Sequence, residues 1–123
     1  MLALRFALAA IFILGLPVVN AQQSKKVETT QDLYEACKNA ASPIDLNTCV
    51  SYISGVGDTV IGVGVAYERK PNAELRSFAI CDKPSHAAMV QTFFNLAQAN
   101  SQKWSDTVLV GVMSALNDKW PCG

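Results

Sequence analysis

Apolar residues recur along this chain at steps of three and four, in separate runs that end at clusters of helix-breaking residues. Leu33, Ala36, Cys37 and Ala40 share one face of a first predicted helix. Thr29 or Thr30 is its N-cap, Asp32 lies near its positive end, and Ser42-Pro43 stops it. The second helix is less obvious, because Ser51 to Tyr67 holds Gly55, Gly57, Gly62 and Gly64 among β-branched residues. Each glycine inside a helix costs about 0.8–1 kcal/mol relative to alanine, so propensity alone favours strands. Periodicity decides for helix. Leu46, Cys49, Val50, Ile53, Val56, Val60, Val63 and Tyr67 fall within an arc of roughly 140° at about 100° per residue, whereas a strand would scatter them over both faces. Asp45 is a natural N-cap, and Pro71 lies beyond the end.

A third helix starts near Pro84-Ser85, capped by Ser85 or Asp82, and carries Val90, Phe93, Phe94 and Ala97 on its apolar stripe to about Asn100. A fourth begins between Ser101 and Ser105 and turns Trp104, Val108, Leu109, Val112, Met113 and Leu116 inward. Lys119 suits its negative end, and Trp120-Pro121-Cys122 stops it. Four amphipathic helices with short connections predict an all-α fold, a small bundle of four main helices.

The glycines then separate into two sets. Gly57 and Gly64 lie in the core stripe, where a missing side chain lets another backbone approach. Gly55 and Gly62 lie on the opposite side, flanking Asp58. That second face is either solvated or packed closely against another segment or a second copy of the chain. Between the second and third helices, Glu68 to Arg76 (ERKPNAELR) reads as a loop with five charges in nine residues, a proline and an asparagine. It is a solvated connection or a recognition loop held on a rigid scaffold.

The N-terminus changes the picture. Arg5 is the single charge in the first 21 residues and precedes an apolar run from Phe6 to Val19. Val19-Asn20-Ala21 then supplies small or modest residues for cleavage before Gln22, so residues 1–21 read as an export signal. The run is too short to span a bilayer comfortably, and no second stretch is expected to span one. No cysteine opens the mature chain, which argues against a lipid anchor. Gln22 to Glu28 is polar and is expected to be a flexible N-terminus, leaving residues 29–123 as one small domain. Removing the signal leaves nine basic and ten acidic residues, and that balance recommends neither nucleic acid nor an anionic membrane.

Cys37, Cys49, Cys81 and Cys122 follow that signal and include no C-x-x-C pair, so a disulfide framework is expected in place of a zinc knuckle or redox motif. Four cysteines allow three pairings. Antiparallel helices bring Cys37, closing the first, beside Cys49 in the second, and Cys81, preceding the third, beside Cys122 after the fourth. Topology therefore favours Cys37–Cys49 with Cys81–Cys122.

Catalytic constellations are thin. His86, the sole histidine, adjoins Ser85 at a helix start and reads as a surface residue, since a Ser–His pair needs an orienting third group and oxyanion donors. Asp58 is a lone carboxylate in an apolar segment, pointing to water or a backbone amide, and without an acid/base partner or metal ligands it makes no active site. The glycines of the second helix follow no strand, so no phosphate loop is present. A non-enzymatic role is expected, with no cofactor and no metal.

Cys49-x-x-Tyr52-x-x-Gly55-x-x-Asp58, the Cys-x-x-Pro of Cys81 and Pro84, the pair Phe93-Phe94, and the closing Ala115-Leu116…Trp120-Pro121-Cys122 resemble the Rap/Tai immunity proteins, from about Leu33 to Cys122. The family often carries a His-Pro-Glu turn between its last two helices, where this chain has Ala99-Asn100-Ser101-Gln102-Lys103. The resemblance implies a small, exported, helical, disulfide-containing periplasmic protein, typically a homodimer. It would block a peptidoglycan amidase delivered by type VI secretion. The expected contacts are Arg69, Lys70, Glu74 and Arg76, with Asn100 and Lys103 second, and Gly55, Asp58 and Gly62 mark a close-packing or dimer face. The competing reading is a periplasmic stress chaperone of the small helical acid-response type, or an orphan member with no toxin partner. Two disulfides would resist the acid-triggered opening that a chaperone wants.

Overall fold

The computed structural model describes residues 25–123 and, before them, Gly15 alone, so the expected signal and its cleavage site lie outside the described residues. Among the described residues there are five α-helices: α1 (Thr30–Lys38), α2 (Pro43–Arg69), the single-turn α3 (Ala73–Arg76), α4 (His86–Ala99) and α5 (Val108–Lys119). A 3-10 turn, Ser101–Lys103, links the last two. No strand occurs among the described residues. The expected all-α bundle of four main helices is what the chain adopts.

α2 is the spine. Its 27 residues span about 40 Å, and α1, α4 and α5 all pack on it and on one another. Leu33 from α1, Ile53 from α2, Met89 and Phe93 from α4, and Val112 and Leu116 from α5 meet in one buried core. Two of the four α2 glycines belong to the buried stripe. At Gly64 a Cβ would overlap the carbonyl oxygen of Ile80, and at Gly57 it would overlap the Met89 side chain. Ile80 N–H donates to Val60 O at 3.2 Å, so the chain entering α4 lies directly against α2 at its glycine. The interior glycines therefore serve close approach, as their place in the stripe implied.

Disulfides join Cys37 to Cys49 and Cys81 to Cys122, the pairing that the helix ends favoured. The first ties the end of α1 to α2. The second ties the entry of α4 to the exit of α5, beside a backbone pairing of Ile80 with Pro121.

α1 begins with a reciprocal cap. Thr29 Oγ1 accepts from Asp32 N–H at 3.2 Å, and Asp32 Oδ2 accepts from Thr29 N–H at 3.0 Å. Backbone donation from Thr29 and then Glu28 holds the Asp32 carboxyl below its ordinary pKa. A depressed folded-state value means stability that is present above the unfolded pKa and is lost as pH falls through the folded one. Thr29→Ala should thus cost about 1 kcal/mol at neutral pH. Asp32→Asn should flatten the fall in urea midpoint between about pH 5 and pH 2, and an acid limb as steep as wild type would show that the cap does not titrate as described.

Several sequence expectations need correction. Ser42-Pro43 starts α2 and does not merely stop α1: Ser42 Oγ accepts from Asp45 N–H and Pro43 is the first helical residue, so Asp45 lies inside the helix. Ala40 falls past the end of α1 and is exposed, while Tyr34 joins the buried face. Leu46, Val50 and Leu109, assigned inward, are exposed. The fourth main helix starts at Val108, later than expected. Val27 packs on the core and Glu28 O accepts from Val108 N–H at 3.0 Å, so the end of the supposedly flexible stretch is tied down. Finally, α2 is long and apolar enough to cross a membrane by length and composition, against the expectation that no second stretch was. In the bundle its buried stripe is core.

Candidate functional site

The charged segment Glu68 to Arg76 is not a continuous loop. Arg69 is the last residue of α2, Lys70 caps it, and Glu74 and Arg76 sit on α3. All four side chains are exposed. What fixes them is a set of short local bonds. Asn72 Oδ1 accepts from Leu75 N–H at 2.8 Å, and Ser77 Oγ donates to Glu74 O at 2.8 Å. Asn117 Nδ2 on α5 donates to Ala79 O at 2.7 Å and to Arg76 O at 3.4 Å. The segment then dives into the core at Ala79 and Ile80 and is closed by the Cys81–Cys122 bridge. Charged side chains on a clamped backbone lose little backbone ordering entropy when a partner engages them.

The second candidate segment follows α4. Asn100 Nδ2 donates to Leu96 O at 2.7 Å and closes the helix end, so its amide is already engaged. Lys103 stays exposed. Beside them Trp104 Nε1 donates to Ala97 O at 2.7 Å, and Tyr34 lies between Trp104 and Phe94 with ring centroids 5.3 Å from each. The 3-10 turn is thus pinned by an aromatic layer. The two candidate segments flank α5: Arg76 adjoins its C-terminal half through Asn117, whereas Lys103 and Asp106 line a neighbouring cavity with Gly111, Ser114 and Asp118.

On the outer face of α2, Gly55 and Gly62 meet nothing, for a Cβ at either would find no atom within 4 Å. Close packing of that face against another segment is therefore not observed among the described residues. Asp58 does not point simply to water. Its Oδ1 lies 2.9 Å from His86 Nε2 at the start of α4, with both side chains more than half exposed. Solvent-exposed pairs of this kind contribute little to stability.

Sequence reasoning missed one surface. Phe78, Leu109, Val110 and Met113 line a shallow groove between the segment after α3 and the outer face of α5. The signal was available: Val108-Leu109-Val110 places three apolar residues in succession on a helix, and at about 100° per residue they cannot all face inward. Among the described residues, no group of three His, Cys, Asp or Glu side chains is arranged to hold a metal ion.

These features define a disulfide-braced helical bundle that displays its charged groups on rigid surface segments. The chain belongs to the Rap1a immunity proteins, whose family model matches residues 29–122, the whole of the bundle from the α1 cap to the last cysteine. Neither the curated proteins nor the solved structures contain a match.

Proposed function

We propose that this chain is a periplasmic immunity protein that binds and occludes a peptidoglycan amidase effector of type VI secretion. Membership of the immunity family across residues 29–122 carries the reading. In it, residues 1–21 direct export and are removed, residues 29–123 form the inhibitory domain, and two copies associate. The disulfides fit an oxidising compartment. Inhibition is stoichiometric and involves no turnover: a rigid surface enters the amidase cleft and excludes the peptide stem.

An amidase cleft that binds peptidoglycan stems presents polar and charged groups, so recognition is assigned first to Arg69, Lys70, Glu74 and Arg76. Lys103 and Asn100 are second, and the engaged amide of Asn100 makes Lys103 the stronger of the two. The test is protection. Exporting the wild type should rescue a cell whose periplasm receives the amidase encoded beside its gene. Arg69→Ala with Arg76→Ala should weaken binding by roughly 2–5 kcal/mol without lowering the melting temperature. Undiminished affinity in the double variant would remove this segment from the interface. A wild type that binds no such amidase would sink the immunity reading.

A further inference from the structure

Six large apolar side chains are exposed among the described residues, and they are not scattered evenly. Leu46, Val50 and Val65 are 37–42% exposed and are strung along α2 over 19 residues, about 28 Å. Phe78, Leu109 and Val110 are the most exposed, at 48%, 49% and 52%, and all three line one groove of about 400 Å³ with Met113. An apolar patch of this kind on a small domain marks an interaction surface.

We propose that a second copy of this chain docks on this patch, with the two α5 helices crossing antiparallel about a dyad near Met113 and Ser114. The charge pattern selects this occupant. Among the described residues, the single charged one lining the groove is Asp118, at the C-terminal end of α5. A surface that meets itself across a dyad must keep like charges away from its centre, and this one does. Antiparallel pairing about Met113–Ser114 also carries Asp118 of one copy to the first turn of the other copy's α5. That helix start lacks what the others have. Thr29, Ser42, Asn72 and Ser85 each cap their helices with a side-chain oxygen, whereas Thr107 makes no such bond and the first turn of α5 holds no acidic residue. A carboxylate there meets the positive end of the helix. Ser114, small and central, lets the helices approach.

The patch is also held ready. Asn117 fixes the backbone on either side of Phe78 to α5, and the Cys81–Cys122 bridge locks the same corner. The outer face of α2, with Gly55 and Gly62, carries the solvated Asp58–His86 pair. This placement deepens the dimer of the proposed function and rests on it.

Sedimentation velocity on the exported protein with its disulfides intact, across a concentration series, should show a reversible dimer. Leu109→Glu and, separately, Val110→Lys should each raise the dimer Kd by roughly tenfold or more at unchanged helicity and melting temperature, while Leu46→Glu and Gly62→Leu leave it alone. Should the charged variants fold poorly, Ser114→Cys gives an independent readout: it should link two copies on oxidation, and Thr59→Cys should not. A monomer at every concentration overturns both the dimer and this surface. A dimer broken by Gly62→Leu but not by Leu109→Glu overturns the placement alone. Lost rescue in Leu109→Glu with an intact dimer would give the patch to the effector instead.

Discussion

Replacing Cys81 and Cys122 together by alanine should destabilise the bundle by about 4 kcal/mol, against about 3 kcal/mol for Cys37 with Cys49. The difference follows from loop length. Cys81–Cys122 closes 41 residues and Cys37–Cys49 closes 12, and in the chain-entropy account the unfolded state loses more freedom to the longer loop. A single domain of this size has a total stability of about 5–15 kcal/mol, so the larger loss removes a substantial share of it. The effect should be felt locally too, because the Cys81–Cys122 bridge secures the corner where α3, Phe78 and α5 meet. Urea unfolding of the two double variants measures the order. A larger loss for the Cys37–Cys49 variant would mean that native packing, not loop entropy, sets the contribution of these bridges.

Gly64→Ala should lower stability by about 1–3 kcal/mol, although alanine is the better helix former by about 1 kcal/mol. The reason is that its new methyl group would overlap the carbonyl oxygen of Ile80, a backbone atom that cannot rotate aside. Ile80 is itself held by its bond to Val60 O and by its pairing with Pro121. Gly62→Ala, two residues earlier, meets open space and should stabilise the same helix by about 0.5–1 kcal/mol. Gly57→Ala falls between them, since Met89 is a flexible side chain able to shift. Thermal melts of the three variants give the comparison. Equal shifts at positions 62 and 64 would show that α2 does not press its glycine face against the chain entering α4.

The bundle was readable because its strongest signal is the period of apolar positions, which survived four glycines in α2. Competing propensities lost because burial of Ile53, Val60 and their neighbours outweighs the helix penalty of the glycines. Boundaries were less readable. A proline after a serine is favourable both past the end of one helix and at the start of the next, so Ser42-Pro43 fits either role until the next turn is seen. Exposure at single positions was least readable. Leu46, Val50 and Leu109 lie on the edges of their apolar arcs, where neighbouring helices decide burial and one sequence carries no record of the neighbours. The Asp58–His86 contact joins residues 28 apart and depends wholly on how α2 and α4 cross. The charged segment from Glu68 to Arg76 was visible as punctuation, whereas its clamping by Asn117 needed the folded molecule.

The two bridges also differ in when they can close. Cys37 and Cys49 lie 12 residues apart, so once the chain meets an oxidant that pair has only a short loop to close. Cys81 must wait for Cys122, which follows all of α4 and α5. For as long as that partner is missing, Cys81 is a thiol open to wrong pairing with whatever cysteine is at hand. Early closure of the first bridge removes both upstream candidates, leaving Cys122 as its only partner within the chain. The short bridge, once closed, thus guards the fidelity of the long one.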